Sequence, residues 1–327
     1  MPFTSTRRSS FLSMLILSAT LTLSTAAPVL AQDGSTPVPG SEISSETTSQ
    51  LPAADLPTMN QQGFVFELES TYDGAFTQLP EEAPVYTMRF PQVDAERAKT
   101  LAGNLGIDGE VETEDNATFD VQDESGSLFI VPGMMQFISF AEIPQGDLPT
   151  DEQGIAFARE WLRQVNLLPA DVGEGKVVTR IEDPPRIIVS FQPITPSPLL
   201  SATPNITVTL GPEGAVLESS YRWADISQSD LYQLRGTSAA WTEVESQRSY
   251  LETLLPSDQY EPGAMITGVA TYDQVSLAYT SSGIPGEQQY LQPVYVFSGQ
   301  VTPEGSDTSY PITSYVPALI NSQQPVG

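Results

Sequence analysis

Thr150-Asp-Glu-Gln-Gly-Ile-Ala-Phe-Ala-Arg-Glu-Trp-Leu-Arg-Gln-Val-Asn-Leu-Leu168 is the stretch from which the fold is read. Thr150 is a natural N-cap, and Gln153 three residues later completes a capping box, so two otherwise orphaned backbone N–H groups find partners. Asp151 and Glu152 set negative charge at the positive end of the helix dipole. Ile155, Ala158, Leu162 and Val165 then recur at helical spacing as one apolar stripe, and Pro169 stops the run. The pattern predicts a helix over 151–168 with one face buried.

Working outward, two more segments carry the same signals. Trp241, Val244, Arg248, Leu251 and Leu255 predict a helix over 238–255, ended by Pro256. Asp94 caps a shorter one over 95–105, striped by Ala98, Leu101, Ala102 and Leu105, with Gly106 suited to the left-handed C′ position. Each helix is followed by alternating or β-branched runs: 118–121, 128–131 and 137–140; 187–191, 206–210 and 215–223; 275–279, 294–301 and 310–319. Another such run, 85–90, precedes the short helix, and Pro-Glu-Gly recurs as a turn at 212–214 and 303–305. The expectation is an α+β fold of antiparallel sheets each packed by a helix, in two or three helix-plus-meander units.

Composition narrows the chemistry. The 327 residues hold no cysteine and no histidine, so a Ser-His-Asp triad, a Cys-His dyad, a disulfide and the common zinc sites are all excluded. Thirteen Lys+Arg against 41 Asp+Glu give −28, which argues against nucleic acid and anionic membrane surfaces and favours a monomer by mutual repulsion. Residues 1–31 differ from the rest. Arg7 and Arg8 precede the apolar run 11–23, and small residues end at Val29-Leu30-Ala31, the plan of a cleaved secretory signal. Its removal leaves 11 basic residues against 41 acidic ones, a balance of −30. No stable membrane insertion is expected after cleavage. Residues 32–62, rich in Ser, Thr, Pro and Gln, read as a disordered linker, followed by a small α+β domain over 63–143 and a two-repeat domain over 144–327.

The run 155–168 followed by 187–191 and 206–223, with Tyr232-Gln-Leu-Arg-Gly-Thr-Ser-Ala-Ala-Trp241 and Tyr290-Leu-Gln-Pro-Val-Tyr-Val-Phe297, resembles PepSY-type modules, small exported units in which a capped helix packs on an antiparallel sheet. The resemblance covers 145–320. It implies an extracytoplasmic role in the bacterial cell envelope, where related modules accompany sensor kinases and peptidases. It carries over no functional residue.

Candidate sites come from the residues themselves. The run 108–124 holds eight acids and no base; Glu110, Glu112 and Glu114 fall on one face of a strand and, with Asp115, form a candidate calcium site, calcium being the one cofactor considered. The competing reading is a solvated edge strand whose like charges deter pairing. Pro293 within the strand containing Tyr290 and Tyr295 cannot donate to a ladder, which predicts an edge or bulge open to a partner strand. The expected function is an exported, non-enzymatic protein-interaction or regulatory module of the envelope, modulating a peptidase or sensor through a protein partner. The alternatives are a glycosidase-type hydrolase using paired carboxylates on polysaccharide and a calcium-dependent surface module. Catalytic residues are not identified. N-terminal sequencing of exported protein is expected to begin at Gln32; a mature chain retaining Met1 contradicts the cleavage.

Overall fold

The computed structural model describes residues 51–56, 63–115, 117–256, 259–282 and 289–320. The signal segment 1–31 and most of the expected linker lie outside them. In chain order, β1 (Val65–Tyr72) and β2 (Glu82–Arg89) precede α1 (Ala95–Asn104). The strands β3 (Val111–Asp115), β4 (Thr118–Gln122), β5 (Gly126–Val131) and β6 (Met134–Ser139) follow. Then α2 (Asp151–Gln164) leads into β7 (Lys176–Glu182), β8 (Pro185–Phe191), β9 (Asn205–Leu210) and β10 (Val216–Arg222). The chain continues through β11 (Asp225–Gln233), α3 (Thr237–Glu245) and β12 (Tyr250–Thr253). It closes with β13 (Met265–Ser282), β14 (Gln289–Pro303) and β15 (Tyr310–Pro317).

These elements correct the α+β expectation. The described chain is mostly β, with fifteen strands and three short α-helices, and the strands join two large sheets instead of separate helix-packed units. One sheet has eight strands in the order β3-β4-β5-β6-β10-β9-β8-β7; the other has seven, along β1-β13-β14-β15-β12 with β2 pairing both β14 and β11. The reason is strand pairing between distant segments. Met135 to Ile138 on β6 lie antiparallel to Glu218 to Tyr221 on β10, so the expected division at 143/144 runs through a continuous sheet. The supposed repeats also differ: β13 and β14 have 18 and 15 residues, whereas β8 and β9 have 7 and 6.

Capping signals nevertheless work as read, although α2 ends at Gln164, four residues before the expected 168, with Asn166 left-handed at φ +57°. Thr150 and Gln153 exchange the two capping-box bonds at 3.3 and 3.0 Å. Asp94 caps Arg97 N–H at 2.8 Å, and Gly106 takes φ +80° after α1. Helix α3 stops ten residues before the expected end, 245 against 255. Gln247, at φ +56°, serves as a left-handed C′ residue: its N–H donates to the Val244 carbonyl and that of Arg248 to the Glu243 carbonyl. Leu251 then belongs to β12, paired to β15.

Strand alternation matches burial. β5 and β9 bury every second residue, placing Leu128, Ile130, Ile206, Val208 and Leu210 beneath Ala98 and Ala102 of α1 and Ala158 and Leu162 of α2. On the other sheet Trp241 of α3 packs edge-on against Tyr72 and Tyr272, each at 5.5 Å. The Tyr272 hydroxyl, fully buried, shares a 2.8 Å hydrogen bond with Ser314. The expected linker also reaches into the fold: Leu51 and Leu56 are buried, and Ala54 bridges Ser282.

Gly299 lies where β14 crosses a bulge at Tyr272/Gln274 of β13. A Cβ there would stand 2.1 Å from the Thr271 carbonyl oxygen, which is backbone and cannot yield cheaply. Gly299→Ala is therefore expected to cost about 2–3 kcal/mol by urea unfolding. Gly103→Ala, in open space on α1, is expected to stabilise by up to about 1 kcal/mol.

Candidate functional site

Beside the outer edge of the eight-stranded sheet lies a groove of about 760 Å³. Its floor and walls come from α2, the loop leading into β7, and the end of β8. The apolar stripe of α2 holds the helix on the sheet and thereby aims Arg159 at the loop below. Arg159 Nη2 donates to the Gly173 carbonyl at 2.6 Å, while its guanidinium carbon sits 5.3 Å from the Phe191 ring centroid. Gly175 permits this layering, since a Cβ at 175 would stand 2.5 Å from the Phe191 ring. The loops are laced together where Gly173 N–H donates to Gln192 O at 2.8 Å and Ile194 N–H to Asp171 O at 3.0 Å.

Lys176 opens β7 at the groove, and Ser190, Gln192 and Ser197 add hydroxyl and amide groups. Ser190 Oγ donates to Asn205 Oδ1 at 3.0 Å, which fixes it in place. Among the described residues neither Arg159 nor Lys176 belongs to an ion pair, and the same holds for Arg89, Arg97, Lys99, Arg186 and Arg222, but Arg159 and Lys176 share one groove. Two unpaired cations thus face one carboxylate, Glu174, in a chain that is otherwise strongly acidic. Val172, Pro193 and the exposed Ile194 supply an apolar rim. The arrangement can hold an extended anionic ligand.

No protein-family model matches the chain, and no curated protein matches it. Among solved structures it is similar to an uncharacterised protein from Eubacterium rectale, at 8% identity and TM-score 0.41, over 81% of this chain and 91% of that one. It is also similar to the YpeB C-terminal domain of Bacillus megaterium, at 13% identity and TM-score 0.33, over 71% of this chain and 95% of that one.

The residues singled out from sequence fall elsewhere. Glu110 and Glu112 are exposed at β3, the opposite edge of the same sheet, where Glu112 pairs directly across from Asp120. The side chains of Glu114 and Asp115 lie outside the described set. Among the described residues no three carboxylates converge as a metal site requires. Asp123 is instead committed to backbone: Oδ2 accepts from Asp108 N–H at 2.7 Å, and Oδ1 from Ser125 N–H at 2.7 Å and Ser125 Oγ. The strand expected at an edge through Pro293 is interior, since β14 pairs with β13 on one side and with β2 and then β15 on the other. Tyr279, opposite Pro293, bonds outward to Pro198 and Leu200, so the Pro293 nitrogen faces away from β13. There it meets the interval between the β2 pairing, ending at Leu291, and the β15 pairing, beginning at Val294, where no donor is needed. Tyr290 and Tyr295 therefore pack within the sheet, and the Tyr295 hydroxyl donates to the Arg235 carbonyl.

All three tryptophans are engaged in packing. Trp161 stacks on Phe137 at 5.8 Å, Trp241 is buried under α3, and Trp223 Nε1 donates to Asp171 Oδ1 at 3.3 Å. The groove itself gave no sequence signal, because Arg159, Lys176 and Gln192 converge only after α2 docks on β8. The unusual scarcity of lysine at Lys176 was the one available hint.

The Ser125 hydroxyl, with the Asp108 and Ser125 N–H groups, holds the Asp123 carboxyl down at about 2, from an ordinary 3.8. A depressed carboxyl contributes stability above its unfolded value and loses it as pH falls toward the folded one. Wild type is therefore expected to lose stability between about pH 4 and pH 2 more steeply than Asp123→Ala, read by urea unfolding at each pH.

Proposed function

We propose that this is an exported, non-catalytic interaction module of the bacterial cell envelope, which uses the groove between α2, β7 and β8 to hold an acidic extended segment of a protein partner. The observation carrying this reading is the placement of Arg159 and Lys176, both free of ion pairs among the described residues, over a groove with a single acid. At physiological salt, charges further than about 8 Å are largely screened, so the two local cations outweigh the distant negative charge. The bulge at Val177/Thr179 interrupts the β7 ladder, which favours side-chain recognition in the groove over plain strand addition. The signal segment supports export, and the resemblance of 145–320 to PepSY-type modules supports a role beside a peptidase or sensor.

The glycosidase alternative needs two carboxylates flanking a scissile bond. Among the described residues Glu174 is the one carboxylate lining the groove, and the tryptophans that would platform a sugar are spent on packing.

The test is fluorescence anisotropy of a labelled oligoglutamate peptide with the full exported chain. Binding is expected to weaken with salt, and Lys176→Ala to weaken it by about tenfold, equivalent to about 1.4 kcal/mol. Lys99→Ala, on α1, is expected to leave it unchanged. Equal affinity in all three proteins, or turnover of a polysaccharide by wild type, contradicts the reading.

A further inference from the structure

A second site stands at the Ser282–Gln292 end of β13 and β14, on the other sheet and independent of the groove. Thr280, Ser282 and Gln292 are all buried there, an unusual concentration of polar groups inside a sheet. Thr280 and Gln292 find partners in the segment 51–56, and Ser282 Oγ is held by Gln292. Gln292 Nε2 donates to the Pro52 carbonyl at 2.7 Å and to Ser282 Oγ, and Thr280 Oγ1 donates to the Asp55 carbonyl. Asp55 N–H in turn donates to the Ser281 carbonyl at 2.8 Å, and Ala54 forms an antiparallel bridge with Ser282. The segment thus meets β13 as an added strand does, main chain to main chain.

Two side chains anchor it. Leu51 enters the cluster that holds Tyr295 and Phe297, and Leu56 the cluster of Val294 and Tyr315. Neighbouring residues on a strand point to opposite faces, so the leucines grip the sheet from both sides of its edge. Between them Ala53 and Asp55 are exposed and contribute only backbone. A peptide is therefore read at its first and sixth positions, with Ala54 packed beside Leu56 and the exposed third and fifth positions left permissive.

We propose that this end of β13–β14 is a peptide-recognition site, that residues 51–56 are its intramolecular occupant, and that it accepts in trans an extended partner segment with aliphatic side chains six positions apart, counted inclusively. Two buried polar side chains, Thr280 and Gln292, donate to the backbone of this strip while Ser282 Oγ accepts from Gln292, which is the chemistry of a peptide groove. The strip shares no sheet strand with the body beyond the one bridge.

The test uses the full chain carrying Leu51→Asp and Leu56→Asp, which releases the internal occupant, and a fluorescein-labelled synthetic peptide of residues 49–58. Saturable binding is expected to the double variant and at least about tenfold weaker binding to wild type, where the tethered copy competes at high effective concentration. A peptide with both leucines replaced by aspartate is expected not to bind. Equal binding to both proteins, or none to a folded double variant, overturns the proposal. Should the double variant fail to fold, hydrogen exchange of wild type decides. The Asp55 amide is expected to exchange about 100-fold faster than that of Phe297, through local opening. Exchange of both at one rate shows that 51–56 is a fixed part of the core and overturns the proposal.

Discussion

The antiparallel ladder between β6 and β10, in which Met135, Gln136, Phe137 and Ile138 face Tyr221, Ser220, Ser219 and Glu218, makes one sheet out of two meanders. Without it β3–β6 and β7–β10 would each have an exposed inner edge. With it, α1 and α2 share a single apolar floor, and the only edges left to this sheet are β3 and β7. Those edges differ in charge: β3 carries Glu112, Glu114 and Asp115, whereas β7 carries Lys176, Glu182 and Arg180, the last paired with Asp151. An acidic strand repels another strand of its own kind, which suits an edge that must stay unpaired. The groove opens beside Lys176 at the start of β7.

The second sheet depends on the long β13–β14 pair, from which β1, β2 and β15 all hang. Its outer edge beyond β1 is not bare. Leu199 bridges Tyr279 and Ala54 bridges Ser282, so two irregular segments cover what would otherwise be unpaired backbone. A small buried cluster lies here as well: Met88, Tyr279 and Leu291 of the seven-stranded sheet pack with Ala224, and Phe90 and Leu199 from the connecting segments lie against them. Loops and strap therefore do for this edge what charge does for β3.

Much of the local structure was legible in the sequence because capping and periodicity act within a few residues. Thr150 with Gln153, Asp94, Gly106 and the alternation of β9 each declare themselves over one or two turns. What escaped is non-local or depends on a residue acting outside its usual preference. Gln247 ends α3 in a left-handed conformation more often taken by glycine, so Leu251 and Leu255 read as a continued stripe. Pro293 marks an edge in most sheets, yet here its missing N–H falls where one neighbour strand gives way to another. The pairing of β6 with β10 joins residues some eighty positions apart, and no local pattern records it. The groove likewise needs α2 docked beside β7 and β8, which brings Arg159, Lys176 and Gln192 together from separate segments.

In the proposed function Arg159, Lys176 and the hydroxyl and amide groups around them form the contact for an anionic segment. Nitrogen-15 chemical-shift mapping during titration with an oligoglutamate peptide addresses it residue by residue. Saturating shifts are expected to concentrate at Gly173, Lys176, Ser190, Gln192 and Ile194, with the acidic strand β3 silent. Shifts absent from these residues, or spread evenly over the surface, would contradict it.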